Sequence, residues 1–227
     1  MPLPLAVDEV PNPWLSWAYL HDNSDAILAA TGQHVTLTVV SVALGLLLSM
    51  PLALLARRFR RLETAILGIT GLIYTIPSLA LFAVLAPITG LTAKTVVIGL
   101  TGYTLLVLVR NVLAGLAGVP AEVVEAARGM GVGPARLLLR VELPLALPVI
   151  LAGVRVATVS TVALVTVGAV VSNGGLGQLI FEGFNNNFYR AEILTATLLC
   201  VLLAAVADLL LLGLERLLTP WARRSAL

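Results

Sequence analysis

The side chains able to make and break bonds are few in this chain and badly placed for it. Its 227 residues include one cysteine and two histidines. A reactive thiol needs a neighbouring base or a positive field, and Cys200 sits in the run TATLLCVLLAA with neither nearby in sequence. It reads as a small buried hydrophobe, and a single cysteine excludes an internal disulfide framework. His21 and His34 flank the first long apolar run without metal-ligand spacing, so both are expected at an interface and neither at a catalytic centre. With no paired acids, no metal cluster and no nucleophile-base set, no catalytic residue is assigned. What remains is electrostatic. Asp208 and Arg155 stand inside apolar runs, where ionisable groups are expensive and call for a partner. Structural pairing of Asp208 with an arginine such as Arg155 is favoured over solute contact, and Arg110 and Arg155 also lie within snorkelling reach of an interface.

The elements that hold these groups are membrane helices. The chain is 59% hydrophobic and 11% charged, with a mean hydropathy of +1.02, whereas a soluble domain has about a quarter of its residues charged. A net charge of +2 gives no argument for nucleic acid. Crossing the hydrocarbon core takes about 20 apolar residues, and five runs meet this: Val35 to Ala56, Ala65 to Pro87, Thr95 to Gly118, Val149 to Val171 and Ile193 to Leu214. The expected fold is therefore all-α and polytopic. The runs are too long and too uniformly apolar for barrel strands.

Basic residues set the orientation. With the N-terminus outside, the inner segments receive Arg57, Arg58, Arg60, Arg61, Arg110, Arg128, Arg136, Arg140, Arg216, Arg223 and Arg224, and the outer ones only Lys94 and Arg190. The start of the chain, with Asp8 and Glu9 but no base before Trp17, does not read as a cleavable signal; a partly ordered tail and an interfacial anchor through Trp14, Trp17 and Tyr19 fit it equally. The expected division is 1–30 outside, 31–218 as one membrane domain, and 219–227 as a cytoplasmic tail.

Between the third and fourth runs lies a polar island, EVVEAARGMGVGPARLLLRVELP, residues 122–144. Pro120 can open a helix whose positive end suits Glu122 and Glu125, and Gly129 and Gly131 can stop it. Pro134 can open a second helix, which Leu143-Pro144 and Pro148 are expected to end. Such a hairpin projects from the membrane, as a partner contact or as an amphipathic element on lipid headgroups.

Within the second run, Tyr74-Thr75-Ile76-Pro77-Ser78 should kink and free a carbonyl for a neighbouring helix or a wet cavity. Tyr74, Pro77 and Ser78, with Asn111, Thr158 and Thr161, are the candidate pathway-lining residues, although a kink used for packing and hydroxyls bonded to their own backbone fit as well. Asn111 could also bond across helices. After the fourth run, Asn173-Gly174-Gly175-Leu176-Gly177 opens an outer loop running to Arg190. Its glycines suit close backbone approach or tight re-entry, so Asn173, Gly174, Gly175 and Gly177 are a candidate gate or docking element, with a merely flexible loop as the alternative.

The spacing Glu125-Ala126-Ala127, Gly131, Val141, Leu143-Pro144 resembles the EAA signature of membrane subunits of bacterial ABC importers, with Val141 where isoleucine is usual. YTIPSLALFAVL, GYTLLVLVRNVLAGL, ALPVILAGVR and SNGGLGQLIFEGF extend the resemblance from about residue 30 onward to the glycine betaine, carnitine and choline branch. Ser172-Asn173 departs from it, since Gly-Ala often precedes Gly-Gly there. Methionine permeases, with a similar five-span plan, are the alternative branch.

This resemblance implies a permease subunit in a bacterial inner membrane, working by alternating access with two ABC ATPase subunits, a second permease and an extracytoplasmic substrate-binding protein. It places ATP and Mg on the ATPases, since no G-x-x-x-x-G-K-[ST] loop occurs here; no cofactor is expected in this chain. It assigns Glu122, Glu125, Ala126, Ala127, Gly129, Gly131, Leu143 and Pro144 to ATPase coupling. With few aromatics in the spans, chiefly Tyr74, Phe82 and Tyr103, solute choice is expected to reside mainly in the binding protein. An ATP-independent channel is the reading from another class.

Overall fold

The computed structural model describes residues 12–172 and 174–221. The expectations resting on Asp8, Glu9, Asn173, Arg223 and Arg224 lie outside the described residues. Ten α-helices and one π-helical turn form the described structure, and no strand occurs among these residues.

A short α1, Trp17–Asp22, is capped by the Ser16 hydroxyl accepting from the Tyr19 N–H. Helix α2, Ser24–Arg58, begins well before Val35 because its first turns carry Ser24, Asp25, Thr31, Gln33 and His34, which an apolar count skips. Extended backbone at Phe59 separates it from α3, Arg60–Thr75. The second run is then not one kinked helix. It breaks at Ile76-Pro77, and α4, Ser78–Thr89, leaves at 98° to α3. Ile76 takes an extended ψ of 128°, the conformation that a following proline imposes, and two successive non-helical residues cost the chain its axis.

Helix α5, Ala93–Ala117, leads to α6, Ala121–Gly129, and α7, Pro134–Leu137. A π-helical turn over Leu138–Glu142 then runs directly into α8, Leu143–Ser172. The expected stop at Leu143-Pro144 and Pro148 does not occur. Pro144 lacks an N–H, and the wide turn before it, in which the Leu143 N–H donates to the Leu138 carbonyl, accommodates the missing bond without ending the helix. Residues expected as loop after Gly175 form α9, Leu176–Asn185, and α10 spans Arg190–Leu218. Among the described residues four helices are long and apolar enough to cross a membrane, and the bent α3–α4 pair makes a fifth if it counts as one span.

Helix α5 is the central post. Val96, Leu100, Tyr103, Leu108, Val109, Val112 and Leu116 are all buried, against α2 on one side and α8 on the other. Hydrocarbon surrounds such helices, so association relies on close contact more than on the hydrophobic effect. Small residues provide it: Gly115 rests on the Ala146 backbone and Gly168 on Val96, where a Cβ would come within 2.9 and 2.7 Å respectively. Helix α10 contributes buried residues only at its start, Ala191, Glu192, Thr195 and Ala196.

Candidate functional site

The polar island folds as the sequence implies in its first half. Pro120 precedes α6 with Glu122 in the first turn, and Gly131, at φ +78°, reverses the chain after it. The Gly131 N–H donates to the Arg128 carbonyl at 2.9 Å and the Val132 N–H to the Ala127 carbonyl at 3.1 Å. These two bonds close the helix by a left-handed residue that glycine adopts without strain. Gly129 is the last helical residue and does not itself stop the helix. Glu122, Glu125 and Ala126 face solvent whereas Ala127 is buried inside the hairpin, so the alanine pair is divided between an outer and an inner face. Val123, Met130 and Leu139 add exposed apolar surface.

A contact missed in the sequence ties this hairpin to the bundle. Glu142, only 4% exposed, accepts two hydrogen bonds from Arg57 at the end of α2, Nη1 to Oε2 and Nη2 to Oε1, both 2.8 Å. The bidentate geometry is the strong form of a guanidinium-carboxylate pair. Eighty-five residues separate the partners, and the only hint was an acid on the inner side of a basic amphipathic run. Leu143 and Pro144, next along the chain, are half-buried at the foot of α8.

At the α3–α4 break the backbone is satisfied by protein. The Tyr103 hydroxyl of α5 donates to the Ile76 carbonyl, and its ring meets that of Tyr74 edge to face at 5.9 Å. Tyr74 and Pro77 are exposed and Ser78 is half-buried. The polar groups of the other candidate lining residues bond within their own helices. Asn111 does not bond across helices: its Nδ2 donates to the Val107 carbonyl of its own helix at 2.8 Å, while its side chain fills the space over Gly153 of α8. Thr161 is buried and donates to Ala157, and Thr158 donates to Val154 beside a shallow apolar groove between α2 and α10.

At the opposite end of α8, the glycine segment is hydrogen-bonded to side chains of α2. Gly174, Gly175 and Gly177 are buried. The Gly175 N–H, at a residue with φ +72°, donates to Gln33 Oε1 at 3.2 Å, and the Leu176 N–H donates to His34 Nδ1 at 3.2 Å. His34 Nε2 must then carry the proton it shares with the Val162 carbonyl at 3.0 Å. His34 is fully buried at this junction of α2, α8 and α9. A Cβ at Gly177 would collide with the Thr166 backbone, which is how α9 seats on α8.

Asp208 finds the partner its position called for. Arg155 Nε and Nη2 donate to Asp208 Oδ1 and Oδ2 at 2.9 and 3.0 Å, and Nη1 reaches Glu215 Oε2 at 3.4 Å. Among the described residues no group of three or more His, Cys, Asp or Glu could hold a metal ion. Cys200 is half-buried against apolar neighbours, where burial keeps a thiol inert.

Residues 41–224 match the family model described as "Binding-protein-dependent transport system inner membrane component". Similar curated proteins include the choline transport system permease protein OpuBB of Bacillus subtilis, 36% identical over 89% of this chain and 93% of that protein. The glycine betaine/carnitine/choline transport system permease protein OpuCD of the same organism is 37% identical over 89% and 88%. The osmoprotectant import permease protein OsmW of Salmonella typhimurium is 37% identical over 89% and 96%. Among solved structures, an inward-facing MetNI methionine ABC transporter chain superposes with a TM-score of 0.77, covering 87% of this chain and 98% of that one at 21% identity. That likeness speaks to the fold.

Proposed function

This chain belongs to the family of inner membrane components of binding-protein-dependent transport systems, and from that premise we propose that it carries quaternary-ammonium osmoprotectants of the choline, glycine betaine and carnitine type. As an ABC importer permease it is not itself catalytic. The observation that carries the solute class is the 37% identity, along 89% of the chain, to a permease whose name states those three solutes. Methionine remains the competing solute only through a shared fold.

In this reading ATP hydrolysis drives the cycle from two partner ATPases, a binding protein delivers solute from outside, and a second permease, identical or homologous, completes the route. The exposed face of α6, with Glu122, Glu125 and Ala126, seats in the ATPase. Its inner face, through Ala127, the Gly131 turn and the Glu142–Arg57 pair, passes the motion to α2 and α8. Support comes from the combination of an exposed outer face with a hydrogen-bonded root. The α3–α4 pair counts as one broken span, giving five, with the N-terminus outside and the C-terminus in the cytoplasm. The divisions at residues 30 and 218 belong to the same reading, as do the broken span as a pathway wall and the segment 173–177 as an outer gate.

Reconstituted with its ATPase and binding protein, the complex should accumulate radiolabelled betaine, choline or carnitine on ATP addition. Methionine uptake with none of these would overturn the solute class. Solute movement by the chain alone, without ATPase, would favour a facilitator.

A further inference from the structure

The Arg155–Asp208 pair lies in the apolar zone, with Glu215 beyond its edge, yet the group is not sealed off. The side chains keep 24%, 36% and 22% of their surface exposed. Asp208 is 18 residues into a 29-residue helix. At about 1.5 Å per residue it is roughly 15 Å from the C-terminal end, and about 8 Å inside a 30 Å hydrocarbon core centred on α10. Lipid is a poor neighbour for such a group, which in membrane proteins faces a bundle interior or a wet cavity. Among the described residues the cover is partial: the buried residues of α10 are all at its start, and Val156, Val159 and Leu209 around the pair are exposed.

An open cleft of ≈ 450 Å³ runs over the pair, lined by Ala152, Arg155, Val156, Val159, Ser160 and Asp208, within the range of small-ligand sites. Ser160 has a distinctive place in it. The other hydroxyls of α8, those of Thr158, Thr161, Thr166 and Ser172, each donate to a carbonyl of their own helix. Among the described residues Ser160 is the one on α8 with no such bond, and it faces the cleft. Its hydroxyl is thus left available to water or to a polar solute in the cleft.

We propose that this cleft lines the water-filled route of the assembled transporter and contacts the cationic head of the solute, an inference that rests on the solute class proposed above. The chemistry fits a quaternary ammonium. Such a head has no N–H to donate, so it is held by charge and by contact of its methyl groups. Here Val156 and Val159 offer apolar wall, and two carboxylates surround a single guanidinium, so Asp208 can be shared with an arriving cation while Glu215 retains Arg155. The carboxylate of a zwitterionic solute would meet Arg155 in the same cleft.

The test uses the whole complex in proteoliposomes, with Cys200→Ala removing this chain's one thiol and labelling read on this chain alone. Ser160→Cys and, on an exposed apolar face of α2, Leu47→Cys are each introduced. A thiosulfonate bearing a trimethylammonium head is the probe. Thiolate forms in water and not in hydrocarbon, so Ser160→Cys should react at least about tenfold faster than Leu47→Cys, and choline should slow that reaction. Equal rates, or no reaction at Ser160→Cys in a complex that still imports choline, would overturn the wet cleft and leave the solute class standing. Labelling that choline does not slow overturns the solute contact. Labelling retained in a complex that imports methionine and no quaternary ammonium would sink the solute class alone.

Discussion

Two polar interruptions sit at opposite ends of α8, both written in glycine, and they use that residue for opposite purposes. In the hairpin, Gly129, Gly131 and Gly133 have nothing within 4 Å of where a Cβ would stand. There the missing side chain serves backbone conformation, at Gly131 alone, and the surface stays open for a partner. In the second segment a Cβ would strike Gln33 at Gly174 and the Thr166 backbone at Gly177, while Gly175, at φ +72°, serves conformation as Gly131 does. At Gly174 and Gly177 the missing side chain serves contact, and all three glycines are buried. Identical letters in the sequence thus mark an exposed handle at one end and a locked joint at the other.

Substitution separates the two roles. Gly177→Ala should be the most damaging, since the obstacle is helix backbone that cannot move aside; about 3 kcal/mol or more of stability should be lost, seen as early thermal aggregation in detergent and poor expression. Glu142→Ala comes next. Breaking a buried ion pair costs roughly 3–5 kcal/mol, but Arg57 keeps 40% of its side-chain surface exposed, so about 2 kcal/mol is expected, together with weaker coupling of ATP hydrolysis to uptake. Gly131→Ala should cost about 1–2 kcal/mol from the left-handed backbone alone, with Gly131→Asn recovering part of it; a clash-sized loss there would show the hairpin to be packed after all. Glu125→Lys should leave stability within about 0.5 kcal/mol while ATPase activity persists and uptake falls. Normal uptake in that variant would remove Glu125 from the coupling face.

The long apolar helices, the hairpin with its Gly131 turn, and the Asp208–Arg155 pair were all legible in the sequence, because each rests on local physics: transfer from water, a helix end, or a charge that must find a partner nearby. Long-range geometry was not. Nothing in the order of residues brings Glu142 to Arg57 or His34 to Leu176, since both contacts depend on how α2 lies against α8. The break at Pro77 was visible as a perturbation, but not its 98° size or that Tyr103 of another helix meets the Ile76 carbonyl there. Proline at 144 misled because its rule concerns α-helices, and a turn of another pitch suits it. Helix α9 was hidden by its glycines, which signal loop locally although Gly177 and Gly183 pack against Thr166 and Ile193.

The π turn over Leu138–Glu142 also fixes an azimuth. It holds one residue more than an α-helical turn would need, and each residue advances a helix by about 100°. The hairpin is therefore dialled around the axis of α8 to a heading that an unbroken helix would not give, and it is at this heading that Glu142 points inward to Arg57. Losing one residue from the turn would swing the exposed face of α6 by nearly a third of a revolution. A register of five residues at the foot of α8 thereby decides which way the handle faces.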